Sequence, residues 1–92
     1  MRQWQLAECM LPGITLAAAE NLAQRIRAEL ARARSPHITY LGALLMPEDE
    51  VLMCLFAGSP AAVRTVCERA GLPFERIIPC AGLGWRPAPD AR

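Results

Sequence analysis

The chain has 92 residues, of which 53% are apolar, and its ten arginines against nine acidic residues give a formal net charge of +1. A chain of this length forms one domain that buries only roughly 60–65% of the surface its unfolded form exposes. The near-neutral charge argues against nucleic acid as the main partner. The surplus of apolar residues predicts that a second copy of the chain covers part of the surface.

The N-terminal segment and the cysteines predict a cytoplasmic protein. Gln3, Gln5 and Glu8 interrupt the segment where a secretory signal would have its apolar core. Uncharged stretches fall short of the ~20 residues that a membrane helix needs, so no membrane partner is expected. The four cysteines form no Cys-x-x-Cys pair and are typical of small buried hydrophobes in a reducing compartment. They are Cys9, Cys54, Cys67 and Cys80.

The first half of the chain predicts a strand followed by a helix. Residues 3–10 have strand character, and a Pro-Gly turn at 12–13 ends them. Thr15 is a suitable N-cap for a helix that runs to about Ala33, with apolar side chains at helical spacing. A Ser-Pro pair at 35–36 is expected to end this helix.

A hairpin follows, and its composition raises a question about burial. The runs Ile38–Met46 and Val51–Phe56 contain no charged side chain and are joined by an acidic turn at 47–50. A strand with one buried face alternates apolar and polar residues, but these strands are apolar on both faces. By strict alternation, Tyr40 and Leu44 share one face.

The second half predicts another helix and a last strand. Ser59 supplies a hydroxyl N-cap and Pro60 occupies the first helical position, where its missing N–H costs nothing. Gly71 fits a left-handed C-terminal cap. Residues 74–80 form the fourth strand, and 82–92 form a Gly/Pro-rich tail outside the domain of residues 1–81.

The order strand, helix, strand, strand, helix, strand predicts an α+β, ferredoxin-like fold: a four-stranded antiparallel sheet with two helices on one face. The helices leave the other face of the sheet bare. Because that face is still apolar, it must meet a ligand or another sheet. We therefore expect a homodimer of the α/β barrel type.

Several segments resemble a family of small bacterial proteins described as nickel-binding-protein-like. The similar segments are "LPGIT" after the first strand, "YLGALLMPEDEVLMCLFAGSPAAVRTVCERAGLPFERI" in the second half, and Glu8 in the first strand. The resemblance covers roughly residues 4–80 and implies a ferredoxin-like fold and dimers. These segments are mainly structural signatures, so they specify the fold better than the activity.

The resemblance also implies a metal-binding function, for which this chain lacks most ligands. Metal-binding members use several histidines, which suit nickel, whereas His37 is the only histidine here. Glu8, Cys9 and Cys67 stand at or near positions where such members carry histidine, and they are the candidate metal ligands. Gly42 and Leu72 stand at other such positions and cannot ligate through their side chains.

Three residues are candidates for catalysis or ligand binding: Glu8, Tyr40 and His37. Glu8 lies within an apolar strand, where it is a general base with a pKa raised by burial, the partner of an arginine such as Arg76, or a residue simply exposed on an edge. Tyr40 is either the phenol of an apolar cleft or a packing residue. His37 lies just before a strand, where it is either within reach of a pocket mouth or a lone surface histidine.

Two functions remain open from the sequence. The first is the binding of a small, largely apolar metabolite in a cleft between sheet and helices, with or without cofactor-free isomerase, cyclase or oxygenase activity. The second is non-catalytic binding, either of nickel or another divalent metal or of a ligand to be carried. Motifs for nucleotide, phosphoryl or ordinary hydrolase chemistry are absent from the sequence.

Overall fold

The computed structural model describes residues 3–34 and 37–84, which form four strands and two helices. The elements are β1 (Trp4–Met10), α1 (Leu16–Ala33), β2 (Thr39–Met46), β3 (Val51–Ala57), α2 (Pro60–Ala70) and β4 (Arg76–Cys80). Each predicted element is present, with boundaries that differ by one or two residues.

Both helices begin with the predicted capping chemistry, and α2 also ends with it. The hydroxyl of Thr15 accepts a hydrogen bond from the Ala18 N–H at 3.1 Å, and the hydroxyl of Ser59 accepts one from the Ala62 N–H at 3.2 Å. Gly71 adopts the left-handed conformation at the end of α2. The predicted stop at 35–36 lies outside the described residues. Within them, α1 runs to Ala33 and is followed by Arg34, a left-handed C-cap whose N–H donates a hydrogen bond to the Leu30 carbonyl.

The sheet has the strand order β2-β3-β1-β4, and all three neighbouring pairs are antiparallel. This arrangement confirms the predicted ferredoxin-like fold. The core lies between the sheet and the two helices, which pack on the same face. Its buried members are Ala7, Cys9, Ala19, Ile26, Leu52, Cys54, Phe56, Val63, Val66, Cys67, Ala70 and Leu72.

A bulge in β2 corrects the assumed alternation of that strand. Tyr40 pairs with Phe56, but Gly42 pairs with Leu55, so the register shifts by one residue between them. Tyr40 therefore packs against the core, and Leu44 points to the opposite face. The prediction that these two residues share a face is wrong because the extra residue of a bulge reverses the alternation.

The C-terminal tail falls mainly outside the described residues. Residues 81–84 follow β4 without regular structure, and 85–92 are not described. Within the described part of the chain, neither helix combines the length and apolarity needed to cross a membrane.

Candidate functional site

The face of the sheet opposite the helices, here called the open face, is predominantly apolar. Side chains alternate along each strand, so the neighbours of the core residues point to this side. Leu44 is 61% exposed and Met10 is 50% exposed. The open face is formed mainly by Leu6, Glu8, Met10, Gly42, Leu44, Met53, Leu55, Arg76 and Ile78.

A concavity of about 260 Å³ lies on the open face, over β1, β2 and β3. Its walls are almost entirely apolar, with side chains from Leu6, Leu44, Met53 and Leu55. Gly42 lies in its floor at φ +129°, and nothing approaches within 4 Å of the position a Cβ would occupy there. The concavity therefore follows from the β2 bulge and from the absence of a side chain at its centre.

The sequence contained a signal for this feature. A glycine within a strand is typical of a bulge or of a site where another group approaches the backbone closely. The sequence singled out Gly42 only as a residue that cannot bind metal through a side chain. Its position on the open face became evident from the strand register.

An ion pair provides the polar chemistry beside this apolar surface. The Nε atom of Arg76 donates a hydrogen bond to Oε1 of Glu8 at 2.7 Å, across the β1–β4 pair. The Glu8 side chain is 16% exposed, whereas that of Arg76 is 67% exposed. The structure thus confirms the expected ion pair of Glu8 with Arg76.

Tyr40 lies on the other side of the sheet. Its ring centroid is 5.4 Å from that of Phe56, and the Arg27 guanidinium lies 5.4 Å from the Tyr40 ring. Burial and the neighbouring Cys54 raise the pKa of the Tyr40 phenol to about 12, against the opposing charge of Arg27. The phenol is therefore protonated at neutral pH and packs as a core residue.

His37 is exposed in a turn just before β2, and its backbone carbonyl lies near Gly58. The three candidate catalytic residues thus occupy three different environments. Glu8 is on the open face, Tyr40 is beneath the helices, and His37 is on the surface beyond the strand. The structure does not bring them together around one ligand position.

The candidate metal ligands are likewise divided between the two sides of the sheet. Cys9 and Cys67 are fully buried on the helix side, where Cys9 is hydrogen-bonded to Cys54. Glu8 is on the open face and is engaged by Arg76. Among residues 3–34 and 37–84, no three His, Cys, Asp or Glu side chains are grouped closely enough to hold a metal ion. This donor set does not fit nickel, which favours converging imidazoles.

Of the two candidate thiols, that of Cys67 is also a poor ligand in chemical terms. A thiol binds metal as the thiolate. Burial raises the pKa of Cys67 to about 12. The hydrogen bond between Cys9 and Cys54 instead lowers the pKa of Cys9 and, together with burial, raises that of Cys54. Cys54 and Cys67 are thus packed as neutral hydrophobes, as predicted, whereas Cys80 is only partly buried.

The four-stranded antiparallel sheet with both helices on one face defines this chain as a ferredoxin-like α+β protein. The model of a family described as "Nickel responsive protein SCO4226-like" matches residues 6–80, and the chain belongs to this family. The predicted resemblance to nickel-binding-protein-like bacterial proteins is thereby confirmed.

A solved structure supports the same assignment. The crystal structure of SCO4226 from Streptomyces coelicolor A3(2) superposes on this chain with a TM-score of 0.59, and the two sequences are 28% identical. The match covers 84% of this chain and 91% of that one. No curated protein matches the chain.

Proposed function

We propose that two copies of this chain pair through their open faces and that the compartment between them binds a small, largely apolar molecule. The observation that carries the proposal is the apolar concavity around Gly42, on a sheet face that neither helix covers. Small-molecule sites are typically concave and apolar with few polar groups. A second sheet laid over this face would close the concavity on its open side.

The location differs from the cleft predicted between sheet and helices. That space is filled by core side chains, among which Phe56, Ile26 and Val63 are fully buried. A ligand there would have to displace a close-packed core. The open face needs no such rearrangement, so the expected ligand position moves to the opposite side of the sheet.

Glu8 and Arg76 supply the polar contact that this site needs. The exposed guanidinium of Arg76 retains N–H groups beyond the one that it donates to Glu8, and these can bind a carbonyl or carboxylate of the ligand. Because Tyr40 and His37 are not beside this pair, the arrangement favours binding over catalysis. Turnover would rest on Glu8 alone as a general base.

Pairing is tested by native mass spectrometry of the untagged protein, with Leu44→Glu as the disrupting variant. A charge at this exposed position would be buried in a sheet-to-sheet interface, at a cost that should dissociate the dimer. Leu16→Glu is the matched control, because Leu16 is a similarly exposed leucine at the start of α1. We expect a dimer for the wild type and the control, and a monomer for Leu44→Glu.

A monomeric wild type at micromolar concentration would contradict the pairing, as would a dimer that Leu44→Glu leaves intact. Retained organic molecules are read from the same spectra, by comparing gentle and denaturing conditions. We expect the wild type to retain an organic adduct. Leu55→Phe fills the concavity, so it should reduce the amount of adduct without changing the oligomeric state. The absence of any adduct, combined with no binding of any apolar compound in a metabolite screen, would contradict the ligand site.

Nickel binding is the second candidate function, and membership of a nickel-responsive family is the observation that favours it. It is tested by titrating the reduced protein with nickel chloride in a calorimeter, with His37→Ala and Cys9→Ala for comparison. From the divided donor set we expect no stoichiometric binding. Saturable nickel binding that either variant abolishes would replace the apolar-ligand proposal with a metal site.

A further inference from the structure

A second concave surface lies on the outer side of the molecule, between α1 and α2. This groove has a volume of about 330 Å³ and is lined mainly by charged side chains. It is remote from the open face because the helices and the sheet lie between the two surfaces. The charged residues that line it are Arg25, Glu29, Arg32 and Arg69.

The helix geometry explains why these residues meet. Arg25, Glu29 and Arg32 are at positions i, i+4 and i+7 of α1 and therefore project from one side of that helix. Arg69 comes from the last turn of α2. At the end of α2, Gly71 allows close approach: a Cβ there would lie 3.2 Å from Nη2 of Arg25.

The charges in the groove are not balanced. Glu29 is only 7% exposed, and both of its carboxylate oxygens accept hydrogen bonds from Nη2 of Arg32 at 2.8 Å. Within residues 3–34 and 37–84, Arg25 and Arg69 have no carboxylate partner. The groove therefore holds one fixed ion pair and two guanidinium groups with unused donors.

We propose that this groove binds a small, multiply charged oxyanion, and that the phosphate group of a small molecule is the ligand chemistry. A guanidinium presents parallel N–H donors that match two oxygens of a phosphate. Arg25 and Arg69 approach from two different helices, so one anion between them would be held from both sides. Arg32, oriented by the buried Glu29, adds positive charge without providing the primary contacts.

The same arginines have a competing structural explanation. The C-terminus of α2 carries partial negative charge, and nearby cations stabilise it. Arg25 beside Gly71 and Arg69 in the last turn are placed for that role. A purely capping role predicts no saturable anion binding, and this separates the two explanations.

The test is an NMR titration of the full chain with inorganic phosphate and with pyrophosphate, at constant ionic strength maintained with chloride. We expect saturable amide shifts confined to the groove. The double variant Arg25→Gln/Arg69→Gln should weaken binding at least tenfold. The control Arg27→Gln/Arg64→Gln makes the same charge change on the same two helices, at side chains that lie over Tyr40 and Phe74 instead. It should stay within twofold of the wild type.

Arg25→Lys keeps the charge but loses the planar fork, and it should weaken pyrophosphate binding severalfold with an unchanged melting temperature. Amide shifts that fail to saturate would overturn the proposed anion site. So would a control variant that weakens binding as much as the groove variant does. Tighter binding of an acidic peptide that pyrophosphate fails to displace would overturn the assignment of a small anion. Folding of each variant is checked by its amide spectrum before the titration.

Discussion

The two faces of the sheet are built from the same strands and have similar apolar composition, yet their surroundings are opposite. In β3, Leu52, Cys54 and Phe56 are buried beneath the helices, whereas the alternating residues Met53 and Leu55 remain half-buried on the open face. Apolar composition alone therefore does not tell which face belongs to the core. The connections decide, because both helices cross on the same side of the sheet.

Replacing a large side chain on the covered face should have the largest effect. Phe56→Ala is expected to lower the free energy of unfolding by about 3–5 kcal/mol, because it leaves a cavity in a close-packed core. Leu55→Ala, one residue along on the open face, should cost only ~1 kcal/mol in the isolated monomer. Urea-induced unfolding of both variants measures the difference.

Protein concentration then tests whether the open face is free in solution. If a second copy covers it, the loss caused by Leu55→Ala should grow as the protein concentration is raised, because dimerisation stabilises the folded state by mass action. The loss caused by Phe56→Ala should be much less sensitive to concentration. If the two variants lost the same unfolding free energy at every protein concentration, the open face would not differ from the helix-covered face in this respect.

Alkaline pH should lower the free energy of unfolding through a buried thiol on the helix-covered face of the sheet. Burial raises the pKa of Cys67 from 9.0 to about 12, so between these values the unfolded thiol loses its proton while the folded thiol keeps it. The stabilisation is fully present below pH 9.0 and is lost as the pH rises toward 12, by up to about 1.4 kcal/mol per pH unit for one such group.

Urea unfolding under reducing conditions at several alkaline pH values measures this slope. Cys67→Ala should show a shallower decline, although other raised groups such as Tyr40 still contribute. Cys80→Ala, at a less buried thiol, is the control and should change the slope less. If the unfolding free energy of Cys67→Ala declined with pH as steeply as that of the wild type, Cys67 would not be the cause of the alkaline destabilisation.

A contact outside both faces should have an intermediate effect. Glu50, in the hairpin turn, accepts a hydrogen bond through Oε2 from the Gly13 N–H at 2.8 Å, and its carbonyl accepts another from the Leu11 N–H. The turn therefore holds the β1–α1 connection. Glu50→Ala should cost about 1 kcal/mol, whereas Glu50→Gln, which keeps an acceptor, should cost less. Chemical denaturation of the two variants distinguishes these outcomes.

The smallest effect on folding is expected for the ion pair of the open face. Arg76→Met removes the partner of Glu8, but the pair lies beside solvent, where such interactions contribute little. Thermal melting at low protein concentration should show almost no change, with Arg64→Met on α2 as a control for lost charge. A loss as large as that of Phe56→Ala would mean that the open face is as deeply buried as the core.

Local features of the fold were predictable because neighbouring residues determine them. The caps at Thr15 and Ser59 and the stop at Gly71 depend on side-chain and backbone chemistry within one turn. The ion pair of Glu8 with Arg76 was predicted as one of three alternatives, since a carboxylate in an apolar strand needs a cation.

The candidate site was less predictable because it depends on strand register. The bulge before Gly42 turned Tyr40 into the core and placed the concavity on the open face. Cys9 is next to Glu8 in the sequence, and Cys67 was grouped with them by the family resemblance. In the structure, both thiols lie on the helix side of the sheet and Glu8 lies on the open face. Residues that are neighbours along a strand point to opposite sides, so spacing alone did not group them into a site.

The sequence by itself determined the order of elements, their caps and turns, and the presence of more apolar surface than one small core can hide. These properties follow from local conformational preference and from composition. The tertiary structure decided which face of the sheet became the core, where the concavity lies, and which arginines of α1 and α2 meet. Those outcomes depend on register and helix crossing, where a shift of one residue moves a side chain to the other side of the sheet.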